Sequence, residues 1–230
     1  MIPLKDENPS RSFPFVNLFL ILANISAFIY QNFFVPGGAK ALFFQLGCIP
    51  YEFSHFVDLN PSALVPIPLT ILTAMFLHGG WIHILSNMLF LWIFGDNIED
   101  TLGHFKYLAF YILCGLIASF FHIFTNLNSQ VPTIGASGAI AGVMGAYMVL
   151  FPKARIKTLL ILGIFIQVVK IPAIIMLGYW ILIQVLSGFA EFGSSIGSSI
   201  AWFAHIGGFI AGFFLIMVIK RPKKRSYRGR

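Results

Sequence analysis

Four side chains in this chain have the types and the spacing for acyl transfer: Ser137, His205, His83 and Asn87. Ser137 stands in Gly135-Ala136-Ser137-Gly138-Ala139-Ile140-Ala141-Gly142-Val143-Met144-Gly145, an apolar stretch with glycines at helical spacing. A hydroxyl at a helix start lies beside free N–H groups and the positive end of the helix dipole, where a developing oxyanion is best held. An imidazole such as His205 can take the hydroxyl proton during attack on a carbonyl and return it to the leaving amine. His83 and Asn87 are spaced i, i+4, so they leave a helix on one side. With the Ser137 backbone N–H they make a set of donors for the oxyanion. Losing one such donor costs roughly 3 kcal/mol, about a hundredfold in rate.

Each residue alone has a plainer explanation. Ser137 suits close helix packing, Asn87 can be interhelical glue, and a single histidine on an apolar face is often structural. The elements that carry them must decide.

Of 230 residues, 58% are hydrophobic and 10% charged. Soluble domains carry about 25% charged residues, so a chain of mean hydropathy +0.86 has too little to face water with. It reads as a polytopic membrane protein. The net charge of +7 is no nucleic-acid footprint, because about half of the basic residues sit in the terminal tail. Cys48 and Cys114 make no metal or disulfide pattern, and no cofactor is expected.

At roughly 20 residues per crossing, apolar runs near 13–35, 81–94, 105–124, 134–151, 172–186 and 200–219 predict six spans in an all-α bundle. A polar segment, 1–12, precedes this 13–219 domain, and a basic tail, 220–230, follows it. The first run is expected to stay as a span, since it lacks a clear small-residue cleavage site. Residues 36–68 mix apolar stretches with Glu52, His55 and Asp58 and predict an amphipathic segment in the interface. Residues 69–77 approach the membrane again. Residues 95–104 predict an acidic, solvated turn with Asp96, Glu99 and Asp100. Residues 158–169 are apolar but too short to cross, so they are expected at the interface or against the bundle. Residues 188–199 predict a flexible Gly/Ser-rich loop.

Charge agrees with that count. With both termini cytoplasmic, every lysine and arginine except Lys40 falls on the cytoplasmic side, as the positive-inside rule requires. A seventh span through 158–169 would put the basic tail outside.

The second, fourth and sixth spans then all enter from the outer side. At 1.5 Å per residue, His83, Asn87, Ser137 and His205 share one depth in the outer leaflet. Gly138 and Gly142 form a small-xxx-small pair on the serine helix. His205, Gly208 and Gly212 share a face at i, i+3, i+7 on the histidine helix. Two glycine seams let backbones close up until a serine reaches an imidazole. No acidic residue lies in the outer halves of these spans, so a Ser–His dyad is expected rather than a triad. A metalloprotease lacks its H-E-x-x-H motif, and His78 and His83, five apart, splay on a helix. An aspartyl protease lacks its pair of intramembrane carboxylates.

On these residues the sequence resembles the rhomboid intramembrane serine proteases. The motifs are Gly135-Ala136-Ser137-Gly138, His83-x-x-x-Asn87 with His78 upstream, and His205-x-x-Gly208-x-x-x-Gly212, in the family's order on its second, fourth and sixth helices. The resemblance covers roughly residues 13–219. It implies a six-helix bundle with a short central serine helix and a water-filled cavity opening outward. It also implies transmembrane helices as substrates, cut near their outer ends, often after a small side chain. His78 matches a position that supports the first outer loop. Two departures stand out. The Trp-Arg pair many relatives carry in the first outer connection corresponds to Leu69-Thr70. The aromatic many carry four residues after the serine, stacked on the histidine, is Ala141, so something else must orient His205.

Two other functions fit less well. A non-catalytic escort of membrane proteins usually lacks the serine or the histidine, and both are present. A channel or transporter needs ionisable groups through the inner halves of the same helices, and none continue there. The expected partners are transmembrane substrates and the bilayer, with no nucleic acid. The expected location is a bacterial plasma membrane, multi-pass.

Overall fold

The computed structural model describes residues 1–61, 63–163, 165–191 and 200–220. The elements run β1 (Ile2–Asp6), α1 (Phe15–Phe33), α2 (Gly38–Leu46), α3 (Pro50–His55), α4 (Ile67–Ala74), α5 (Trp81–Leu102), α6 (His104–Thr125), α7 (Ser137–Leu150), β2 (Arg155–Leu162), β3 (Phe165–Pro172), α8 (Ala173–Glu191) and α9 (Trp202–Ile219).

The bundle is built around α7. Its small side chains let neighbours in on all sides, and every residue from Gly138 to Tyr147 is buried. Helices α5, α6, α8 and α9 pack directly on it. The outer helices reverse that pattern. Phe19, Leu22, Phe120, Leu182, Phe214 and Val218 face outward. Among the described residues, four helices, α1, α6, α8 and α9, are long and apolar enough to cross a membrane. Helix α7 is apolar but has only 14 residues, and α5 carries carboxylates in its last turns.

Polar side chains stitch the bundle internally, as lipid-embedded helices require. Asn17, buried on α1, donates to the Leu91 carbonyl at 3.1 Å and accepts from the Tyr107 hydroxyl at 2.7 Å. The expected acidic turn over 95–104 is instead mostly the end of α5, which runs to Leu102, with the reversal confined to Gly103 before α6 begins at His104. Glu99, fully buried, accepts the backbone N–H groups of Val16 and Asn17 at 2.9 and 2.7 Å. It thereby caps the otherwise unpaired start of α1. Gly103, at φ +79°, makes the tight reversal from α5 into α6.

The all-α expectation needs correction. The chain is mostly helical, but β1, β2 and β3 form a three-stranded antiparallel sheet in that order. Ile2 pairs with Leu159, and Thr158 pairs with Val169. The cause is the run Ile156-Lys157-Thr158 and its partner Val169-Lys170-Ile171, rich in β-branched residues that suit a half-buried pleat. Ile156 and Thr158 face inward, fully buried, with Lys157 between them on the other face. The 1–12 segment is correspondingly anchored: Asp6 accepts from the Tyr147 hydroxyl at 2.7 Å, and Glu7 pairs with Lys170 at 2.6 Å.

Residues 36–68 fold into α2 and α3, followed by the approach to α4. In the expected Gly/Ser loop, 188–191 belong to α8, and 192–199 lie outside the described residues. Of the expected basic tail, 221–230 also lie outside them.

Candidate active site

Ser137 is the first residue of α7, and the chain before it is pinned twice. Thr133 and Cys48 exchange backbone hydrogen bonds at 2.8 and 3.1 Å, and Gly135 N–H donates to the Ala74 carbonyl at 2.8 Å. Gly135 adopts φ +124°, which favours glycine and turns the chain sharply into the helix. Ser137 therefore stands at a helix N-terminus whose first N–H groups lack intrahelical partners.

Opposite it, His205 leaves the first turn of α9. Its Nε2 lies 2.8 Å from Ser137 Oγ, within hydrogen-bond reach. The two helices come together along the glycines named from the sequence. A β-carbon on Gly208 would strike the Gly138 carbonyl, and one on Gly212 would strike that of Gly142. On the other side of α7, a β-carbon on Gly138 would lie 2.7 Å from the Ala118 Cβ, and one on Gly142 2.5 Å from the Cys114 Cβ. These four glycines thus allow close packing on both faces of the serine helix.

His83 approaches from the start of α5. Its Nδ1 accepts the Gly79 N–H at 3.2 Å, which leaves the proton on Nε2. That Nε2 abuts Gly135: a β-carbon built there would be 2.8 Å from Nε2 and 3.7 Å from Ser137 Oγ. Asn87, one turn on and buried, donates one amide N–H to His78 Nε2 at 3.0 Å. Among the described residues nothing takes its second N–H. The His78 ring also meets the His83 ring edge-on, with centroids 5.0 Å apart. A cavity of about 20 Å³ touches Ser137, bordered by Ser119, Gly135, Gly138 and Ala204, room for a single water-sized group.

Two residues in this assembly escape the motif reading. Gln31, fully buried on α1, clamps the His78 backbone, receiving its N–H at 3.2 Å and donating to its carbonyl. Gln184, on α8, accepts from His205 Nδ1 at 2.7 Å. The signal for both is an amide within an apolar span, which is costly unless it has a partner.

The family model described as Rhomboid domain matches residues 68–222. Among similar proteins, "RHOMBOID-like protein 5" of Arabidopsis thaliana is 32% identical over 154 residues, 66% of this chain and 45% of the relative. "Rhomboid protease GluP" of Bacillus subtilis is 34% identical over 160 residues, 70% of this chain and 28% of the relative. "Putative rhomboid protease YdcA" of the same organism is 30% identical over 159 residues, 68% of this chain and 70% of the relative. The chain spans about half the length, or less, of the first two. Other relatives are named for mitochondria and chloroplasts, so the resemblance specifies a membrane and not one compartment. Taken with the apolar helices around α7, these matches make the chain a multi-pass integral membrane protein that belongs to the rhomboid family.

Proposed function

We propose that this chain is an intramembrane serine endopeptidase that cuts transmembrane segments near their outer ends with a Ser137–His205 dyad. The observation that carries the reading is the 2.8 Å approach of His205 Nε2 to Ser137 Oγ at the start of a buried helix. His205 takes the hydroxyl proton as Ser137 Oγ adds to the scissile carbonyl. The Ser137 N–H, the His83 Nε2–H and the second N–H of Asn87 hold the oxyanion. His205 then protonates the leaving amine, the acyl-enzyme forms, and water activated by the same imidazole releases it. The small cavity beside Ser137 suits a substrate with a small side chain next to the cut. A helical substrate hides its carbonyls in internal hydrogen bonds, so residues that weaken its helix should speed cleavage.

In this reading α5 and α7 join the four long apolar helices as spans, giving six across residues 13–219, with both termini cytoplasmic. Supporting that orientation, Lys5, Arg155, Lys157 and Lys170 gather on the small sheet at the end opposite Ser137. The test is reconstitution in liposomes with a single-span substrate. Wild type should cleave it, and Ser137→Ala and His205→Ala should not. A fluorophosphonate should label Ser137 in the folded protein. Equal cleavage by wild type and Ser137→Ala would sink the mechanism, and folded protein that neither cleaves nor labels would favour the non-catalytic escort.

A further inference from the structure

The imidazole of His205 is held from the side of α8, a helix to which the sequence assigns no site residue. Gln184 Oε1 lies 2.7 Å from His205 Nδ1. Gln184 is itself buried, at 6% exposure. Its Nε2 reaches back to the Trp180 carbonyl at 3.4 Å, one turn earlier on α8, which turns the amide so that oxygen and not nitrogen meets the ring. Trp180 also lies against the imidazole, centroids 5.8 Å apart and planes at 38°, and Trp202 meets it edge-on at 6.3 Å. Ala141, one turn after Ser137 on α7, has no ring to set against the imidazole.

An imidazole serves as base through Nε2 only when its proton sits on Nδ1. Nothing in the Ser137 contact enforces that choice, because a hydroxyl can donate or accept. An amide oxygen cannot donate, so it accepts the Nδ1 proton and leaves Nε2 bare towards Ser137. We propose that Gln184 is a positioning residue for the hydrolysis: its amide oxygen fixes the tautomer and orientation of His205, taking the place of a triad carboxylate without its charge. The proposal rests on the dyad reading above.

The test uses the full chain in liposomes with the single-span substrate. Gln184→Leu keeps the side-chain bulk and removes the acceptor. It should lower kcat tenfold or more, leave KM unchanged, and slow fluorophosphonate labelling to the same extent. Gln184→Glu restores an acceptor and should recover the rate. Its carboxylate also favours the imidazolium, so the acid limb of its pH–rate profile should move to higher pH. Among the described residues, the other titratable groups acting on His205 are His83 on α5 and His122 on α6, and both are present in every variant. If Gln184→Glu does not fold, nitrogen-15 shifts of His205 decide: an Nδ1–H tautomer in wild type and a mixture in Gln184→Leu. Wild-type rates and an unchanged tautomer in Gln184→Leu would overturn this proposal alone. Failure of wild type to cleave or label would instead overturn the dyad on which it stands.

Discussion

Gly208 on α9 turns its bare α-carbon onto the carbonyl oxygen of Gly138 on α7, where a methyl group would overlap that oxygen. Both partners are backbone, so neither can step aside as a flexible side chain does. Gly208→Ala should therefore cost about 1–3 kcal/mol, the usual range for overpacking. The same seam sets the spacing between Ser137 and His205, so kcat should fall along with the thermal midpoint in detergent. Gly178→Ala on α8 is the control, because a β-carbon there meets nothing within 4 Å. Equal midpoints for the two variants would show that the seam tolerates separation.

Gly135 faces two constraints at once. Its φ of +124° strains any other residue, and a β-carbon would press on the His83 ring at 2.8 Å. Gly135→Ala should push His83 away from the proposed oxyanion position and turn the first residues of α7. The expected outcome is a loss of kcat of about a hundredfold, the scale of one lost donor. Helicity by far-ultraviolet circular dichroism should stay at the wild-type value. A Gly135→Ala enzyme with wild-type kcat would remove His83 from the mechanism.

Asn87 and His78 form one unit in the geometry, since the amide that would meet the oxyanion is oriented by the His78 ring. His83→Ala and Asn87→Ala should each lower kcat by about 10²–10³ with little change in KM. His78→Ala should lower it less. The double variant His78→Ala/Asn87→Ala should be no slower than Asn87→Ala, because residues acting through one group are not additive. Full additivity in that cycle would assign His78 a separate role.

The proposed dyad and its proposed donors are legible in the sequence for a physical reason. In so apolar a chain a hydroxyl, two imidazoles and an amide stand out, and glycine spacing is a local pattern along one helix. Gln184 and Gln31 are less legible because their partners lie 21 and 47 positions away, and an amide in a span reads equally well as glue. Glu99 misleads in the other direction. Three carboxylates in a row of ten residues suggest a solvated turn, yet one of them is buried as the cap of α1. The sheet is missed because 158–169, averaged over its length, has the apolarity of a segment lying at the interface or against the bundle. The alternation of buried Ile156 and Thr158 about Lys157 marks a strand, but only its partner β3 is local; its other partner, β1, is at the far end of the chain, beyond any local pattern.

Glu7 ties the N-terminal strand to the hairpin through Lys170, and its titration makes that tie sensitive to acid. The hydrogen bond from Lys170, with the charges of Lys170, Lys157 and Arg155, holds the Glu7 carboxyl below its ordinary value of 4.5. A carboxylate with a lowered folded pKa contributes stability that is present above the ordinary value and lost as pH falls through the folded one. The neighbouring Asp6 runs the opposite way, because burial raises it and the fold then favours its protonated form. Comparing wild type with Glu7→Gln cancels the Asp6 contribution, which is common to both. The measurement is hydrogen exchange at the Glu7 position's amide, which bonds to the Arg155 carbonyl at 2.9 Å, corrected for intrinsic rates from pH 7 downwards. Wild type should lose protection below about pH 4.5, where carboxylates begin to protonate. Glu7→Gln should start with less protection at neutral pH and change less on acidification. Parallel curves for the two proteins would mean that strand pairing and the Tyr147–Asp6 contact hold β1 without help from the ion pair.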